Sequence, residues 1–382
     1  MVFNYAKKVT FSRKSMEESS QDFRSPFMVD APQVTATPPE SVHVLREAES
    51  GLDGVIVLHS SRRGPAAGGC RLWRYGDHAA LVGDAMRLAE GMTYKNAMAD
   101  LPLGGGKAVL NLPQGEFDRR RLFAAFGRAV ARLDGNYVTA EDVGTSVADM
   151  EAVRGETRHV AGLPPRDGRP GGDPSPWTAR GVFLAMEEAA RRQLGSELKG
   201  LRIAVQGLGH VGSALCGMLY EAGARLIVAE PRPGVAAEVA CRYDAEIMGR
   251  DSILDARCAI FAPCALGGVL DGDAVARLRA RVVCGAANNV LATPEDGDRL
   301  ADRGILYAPD YVVNAGGIIS VAGEYLGWSA DEVATRVHAT GLRLGAVLAY
   351  AARERLAPHR AADALARARI TAAPLAPVRE AA

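Results

Sequence analysis

No stretch of this chain stays apolar for the roughly 18 residues that a membrane span requires, so no membrane partner is expected. Neither sign of charge is in excess: 45 Lys and Arg face 45 Asp and Glu. That balance gives no pull towards nucleic acid or an acidic substrate. The six cysteines, Cys70, Cys216, Cys241, Cys258, Cys264 and Cys284, contain no CxxC pair, and free buried thiols in a reducing cytoplasm are the expectation. The seven histidines contain no HxxxH or HExxH, which leaves a metal centre without ligands at the usual spacing. Internal repeats are absent. The first 35 residues mix both charges with Ser and Pro and lack the continuous apolar core of a signal peptide; they are expected to form a flexible tail.

What remains is the composition of an ordinary globular protein, with 48% hydrophobic and 24% charged residues over 382 positions, long enough for two cores. Residues 40–60 give two β-rich runs, SVHVLRE and GVIVLHS, around the turn-forming ESGLDG, which predicts a hairpin. Residues 77–100 carry apolar side chains at helical spacing. KAVLNL (107–112) reads as a strand, 118–133 as a helix, YVTA (137–140) as a strand and 146–154 as a helix. This alternation predicts an α/β domain over 36–175. Gly and Pro crowd GLPPRDGRPGGDPSP (162–176), the expected hinge. A helix at 178–194 and further strands at 258–262, 281–285 and 305–308 predict a second, doubly wound parallel domain over 176–345. The helical stretch 346–382 is expected to return to the first domain.

Gly207, Gly209 and Gly212 form G-x-G-x-x-G directly after the strand LRIAVQ and at a helix start. There the glycines permit a tight turn and close approach of a pyrophosphate, with the helix N-terminus supplying N–H groups. The turn residues Leu208, His210 and Val211 belong to the same expected cofactor site. Eighteen residues beyond Gly212, the next strand ends in Glu230, placed to accept from ribose hydroxyls and to repel a 2′-phosphate. That predicts NAD as cofactor, with Arg232 nearby as the feature that argues the other way.

A second signal lies in GPAAGGCRLWRY (64–75), EGMTYKNAMADLPLGGGKAVL (90–110) and TAEDVGT (139–145). Lys95 and Lys107 stand 12 residues apart across a helix end and what reads as a glycine loop at 104–106, through which a ligand can approach the main chain. Most lysines are solvated surface charges. Lys107, however, precedes the apolar AVL, and burial at a strand start would favour the neutral amine, a base.

These motifs, with DPSPWTA (173–179), APCALGG (262–268), GAANN (285–289) and APDYVVNAGG (308–317), occur in order and at matching spacing, and the chain resembles the glutamate/leucine/phenylalanine/valine dehydrogenase family, most closely its leucine members. The resemblance implies roles. Lys95 would hold the substrate α-carboxylate, Lys107 would be the catalytic base, and Asp142 would assist proton transfer at the amine. Gly68 and Gly69 would shape the substrate pocket. Ala262, Asn288 and Asn314 fall in segments that would lie against the nicotinamide. It further implies a homo-oligomer.

Where glutamate enzymes carry a lysine and a serine for the side-chain carboxylate, this chain has Ala67 and Val321. An unpartnered buried carboxylate would cost several kcal/mol, so the resemblance points to an apolar L-amino acid, released as a 2-oxo acid and ammonium. Ala140, Ile318 and Val321 favour leucine, valine and isoleucine, whereas Ala67 favours phenylalanine. A regulator that binds NAD without catalysis would have lost Lys95, Lys107 or Asp142, and all three are present. A hydroxy-acid dehydrogenase would leave the paired lysines unexplained.

Overall fold

The computed structural model describes residues 38–165 and 170–372; the expected N-terminal tail and the middle of the expected hinge lie outside them. The chain runs β1 (Ser41–Glu47), β2 (Leu52–Ser60), β3 (Ala66–Ala67), β4 (Cys70–Trp73), α1 (His78–Met98), β5 (Gly104–Asn111), α2 (Arg119–Ala131), β6 (Tyr137–Val138) and α3 (Val147–Arg154). It continues through α4 (Ser175–Leu194), β7 (Arg202–Gln206), α5 (His210–Glu221), β8 (Arg225–Ala229), α6 (Pro233–Tyr243), β9 (Glu246–Ile247), β10 (Ile260–Pro263), α7 (Gly272–Arg277), β11 (Val282–Val283), α8 (Pro294–Asp302) and β12 (Leu306–Tyr307). Five helices close it: α9 (Asp310–Val313), α10 (Gly316–Leu326), α11 (Ala330–His338), α12 (Thr340–Glu354) and α13 (Pro358–Thr371).

The first sheet is mixed. Strands β1 and β2 form the antiparallel hairpin expected from 40–60, β2 pairs antiparallel with β5, and β3 and β4 both run parallel to β5. Alternation along the strands feeds two cores. Val55, Val57 and Val109 pack with Leu81, Ala85 and Ala89 of α1, while Ile56, Leu58, Ala108 and Leu110 pack with Leu122, Phe123 and Phe126 of α2 and Met150 of α3. A sheet buried on both faces by helices results.

One element differs from the sequence reading. The triple glycine is strand, the first three residues of β5. The positions where its side chains would stand are filled by protein: a Cβ on Gly105 would lie 2.1 Å from the Thr93 backbone N, and one on Gly104 2.0 Å from the Ser60 carbonyl. These glycines let helix α1 and strand β2 approach β5, so Gly105→Ala must displace backbone and is expected to cost about 1–3 kcal/mol or more. Gly91→Ala, within α1 where nothing lies within 4 Å of the added Cβ, is expected to be neutral or to stabilise by about 0.5–1 kcal/mol. Urea titrations of the two variants check this; equal midpoints would reject the packing explanation.

The second sheet has the order β12-β11-β10-β7-β8-β9, parallel throughout. Its strands alternate between a core with α4, α5 and α12, through Ile203, Val205, Leu226 and Val228, and a core with α7 and α8, through Ala204, Ile227, Phe261 and Val283. In such a sheet the ligand crevice opens at the carboxyl ends of the strands where the order reverses, here between β7 and β10. Strands β3, β4 and β9 were not anticipated, because segments of two to four strand residues carry too few positions to show a period, and helix α6 was not anticipated either. Helix α13 returns to α1, where Arg369 Nη1 donates to the carbonyls of Ala97 and Met98 at 3.2 and 3.0 Å. Cys241 is exposed, against the expectation that the thiols are buried.

Candidate active site

Strands β3 and β4 follow one line along β5, interrupted at Gly68 and Gly69: β3 pairs with Gly104 and Gly105, β4 with Ala108 to Asn111. A Cβ on Gly68 would strike the Gly106 carbonyl at 1.9 Å, and one on Gly69 the Glu141 carbonyl at 2.4 Å and Asp142 Cβ at 2.9 Å. Gly68 thus admits the close approach of β5, and Gly69 that of the 141–142 segment that carries Asp142. Alternation then decides where Lys107 points. Gly105 and Val109, two residues to either side, face α1, so Lys107 faces α1 as well.

Lys107 has 5% of its side chain exposed, and its Nζ lies 2.9 Å from Asp142 Oδ2. Desolvation alone was legible in sequence; the facing carboxylate was not. Burial pushes the Asp142 carboxyl up, but the Lys107 and Arg71 cations prevail and hold it at about 2. Lys95, on the last turn of α1, donates from Nζ to Asn288 Oδ1 at 2.8 Å, joining the first sheet's helix to the loop after β11. Asn314 Nδ2 donates to the same oxygen at 2.8 Å and to the Ala286 carbonyl at 3.1 Å. Burial lowers Lys95 to about 8, opposed by the charge of Asp310.

Lys95, Lys107, Asp142, Asn288 and Asn314 therefore converge. Helix α1 is set against β3 and β5 by fully buried Asn96, whose Nδ2 donates to the Gly104 and Ala67 carbonyls at 2.5 and 3.4 Å. The neighbouring wall is apolar: Ala67 and Val138 join Ala315, at the start of α10, and Ile319 and Ala322 within it in one cluster, with Ile318 packed against it. Ala140 is buried, while Ile318 and Val321 are half-buried. Two carboxylates escaped the sequence reading. Half-buried Asp310 accepts from the Tyr311 backbone N–H at 2.7 Å, and its desolvation pushes the carboxyl up. Glu141 is raised to about 7 by burial and by the charges of Asp173, Asp149 and Glu324. Both lie inside segments singled out in the sequence, Glu141 in TAEDVGT and Asp310 in APDYVVNAGG, but residue type alone gave neither a role.

At the second sheet, Gly207 has φ +95° and follows β7, and Gly209 caps α5, where a Cβ would meet nothing within 4 Å. Open space over a helix N-terminus with free N–H groups is what a pyrophosphate needs. Gly212 lets the helix cross the turn, since its Cβ would lie 2.0 Å from the Gly207 carbonyl. His210 is exposed, with Nδ1 3.1 Å from Asp173 Oδ2; Leu208 is buried and Val211 half-buried against the core. Ala262 is fully buried in β10, so the loop beyond it, rather than its own side chain, borders the crevice. Glu230 accepts from the Leu208 backbone N–H at 2.8 Å and from Arg232 Nε at 2.6 Å, which hold its carboxyl at about 2.

The chain matches two family models, one described as Glu/Leu/Phe/Val dehydrogenase, dimerisation domain, over residues 39–159, and one as Glutamate/Leucine/Phenylalanine/Valine dehydrogenase, over 173–237 and 229–376. It is 43% identical over 332 residues to a leucine dehydrogenase of Geobacillus stearothermophilus, covering 87% of this chain and 90% of the relative. It is 44% identical over 341 residues to a valine dehydrogenase of Streptomyces coelicolor, covering 87% and 93%. The crystal structure of L-tryptophan dehydrogenase from Nostoc punctiforme superposes with a TM-score of 0.76 at 36% identity, covering 87% of this chain and 96% of that one.

Proposed function

The chain belongs to the Glu/Leu/Phe/Val dehydrogenase family, and on that premise we propose that it oxidatively deaminates an apolar L-amino acid, with leucine, valine and isoleucine preferred, to the 2-oxo acid and ammonium. The observation that carries this reading is the pairing of a buried Lys107 amine with Asp142 at 2.9 Å, beside a wall built from Ala67, Val138 and α10. Ala67 and Val321 offer a second carboxylate no partner, which excludes glutamate on desolvation cost. Small Ala67 leaves phenylalanine as the alternative substrate.

The glycine turn fits a nicotinamide dinucleotide, which supplies the hydride acceptor when bound. NAD is the preferred form, because Glu230 would face a 2′-phosphate with a carboxylate and already engages Arg232 at 2.6 Å. Lys95 holds the substrate carboxylate and so fixes the direction of the α-hydrogen. Lys107 takes a proton from the water that adds to the imino carbon. Asp142, held ionised beside two cations, accepts from the substrate nitrogen and assists proton transfer there. Residues 36–175 serve as the substrate and assembly unit, 176–345 as the cofactor unit, and the protein assembles as a homo-oligomer.

A panel of L-amino acids assayed by absorbance of the reduced cofactor, with NAD⁺ and NADP⁺ in parallel, tests the proposal. Branched aliphatic substrates with NAD⁺ are expected to give the highest kcat/KM. Differences among them amount to about 1–3 kcal/mol per methylene. Activity on glutamate alone, or on none of the panel, would remove it.

A further inference from the structure

Asp142 is gripped from two sides at one oxygen. Lys107 Nζ and Arg71 Nε lie 2.9 and 3.1 Å from the same Oδ2, and among the described residues Oδ1 has no hydrogen-bond partner. The register explains the meeting. Arg71 on β4 stands opposite Val109 on β5, the next residue after Lys107 on the face covered by α1, so both cations point into the layer beneath that helix. Arg71 is in turn fixed at its far end: its Nη1 donates to Asp84 Oδ2 of α1 at 3.0 Å, Tyr75 Oη donates to that same oxygen at 2.6 Å, and Arg87 holds Oδ1 at 2.6 Å. Arg71 and Asp84 have 20% and 15% of their side chains exposed. This is a braced chain of charges running from helix α1 to the reacting centre.

We infer that Arg71 is a positioning residue for the deamination: by sharing Oδ2 with Lys107 it fixes the rotation of the Asp142 carboxylate and turns Oδ1 towards the substrate nitrogen. The inference rests on the amino-acid dehydrogenase reading above. A guanidinium suits the task because its planar fork reaches two carboxylates at fixed angles, which a lysine ammonium cannot. The same placement keeps Asp142 charged. Groups that bear on it are Lys107 from β5, Arg71 and Cys70 from β4, Lys95 and, through Arg71, Asp84 from α1, and Tyr137 from β6. Removal of Arg71 takes away one of the two cations that lower the Asp142 carboxyl and lets burial raise it.

The test compares wild type with Arg71→Ala, Arg71→Lys and Asp84→Asn, each by kcat, KM, pH profile, cofactor binding and thermal midpoint. Arg71→Ala is expected to lose on the order of 10²-fold in kcat with little change in cofactor affinity, and the acidic limb of its kcat/KM profile is expected to move to higher pH by about one unit. Arg71→Lys restores the position of the limb, because the charge is kept, but only part of kcat. Asp84→Asn keeps Arg71 in reach of Asp142 and is expected to show a smaller loss of kcat in the same direction, which supplies the answer where Arg71→Ala does not fold. A lower thermal midpoint with kcat and the limb unchanged would overturn the inference and leave Arg71 a purely structural residue. Absence of amino-acid oxidation in the wild type would instead remove the reading it rests on.

Discussion

Lys107→Ala is expected to lower kcat by about 10²- to 10⁴-fold, the range assigned to a positioned proton-transfer group, while the affinity for the reduced cofactor stays within about twofold of wild type. The separation follows from geometry, because Lys107 lies on β5 of the first sheet and the glycine turn follows β7 of the second. Breaking a buried ion pair ordinarily costs about 3–5 kcal/mol, yet Asp142 keeps Arg71 at 3.1 Å and 21% of its side chain is exposed. The loss of stability is therefore expected below that range, and a folded variant can be assayed. Rapid-mixing kinetics with fluorescence titration of the cofactor provide the measurement. Retention of wild-type turnover would show that the proton leaves by another route.

Lys95→Ala is expected to act on binding first, raising KM for the amino acid by about 10- to 100-fold, in line with the worth of a hydrogen bond between charged groups. A smaller fall in kcat is expected as the substrate loses its orientation. The wild type carries a related signature. Burial lowers Lys95 to about 8, so in the ligand-free cleft its positive charge is complete below that pH and is lost as pH rises through it. KM for the 2-oxo acid, which has no amine of its own to titrate, is therefore expected to rise above about pH 8 in the wild type and to lose that rise in Lys95→Ala. Identical KM values in the two proteins would take the carboxylate from Lys95.

Asn288 connects these expectations to the cofactor side. Its Oδ1 receives both Lys95 and Asn314, so one amide oxygen ties Lys95 of α1, the lysine proposed to hold the substrate carboxylate, to the loop beside the crevice. Lys107 is buried and Lys95 half-buried. Each is held where its neighbours were chosen by the fold, and the two differ because Lys107 faces a carboxylate while Lys95 faces an amide.

Local chemistry was readable from the residues themselves. The glycine turn after LRIAVQ, the hairpin at 40–60 and the helical spacing over 77–100 depend on residues within a turn or two of one another, and periodicity or residue type carries that information directly; the apolar Ala67 and Val321 gained meaning only through the resemblance. Tertiary structure alone decided the rest. Two short strands on either side of Gly68 and Gly69 align along β5 as one interrupted strand, and this seats Asp142 against Lys107. Register across β4 and β5 brings Arg71 to the same carboxylate oxygen, and the return of the chain at 285–289 gives Lys95 its acceptor. Pairing between strands and helices distant in sequence is set by the packing of whole faces, and a one-residue slip would turn Lys107 to the other face of its sheet. For that reason the residue types of the site are written in the sequence, and their charge partners in the fold.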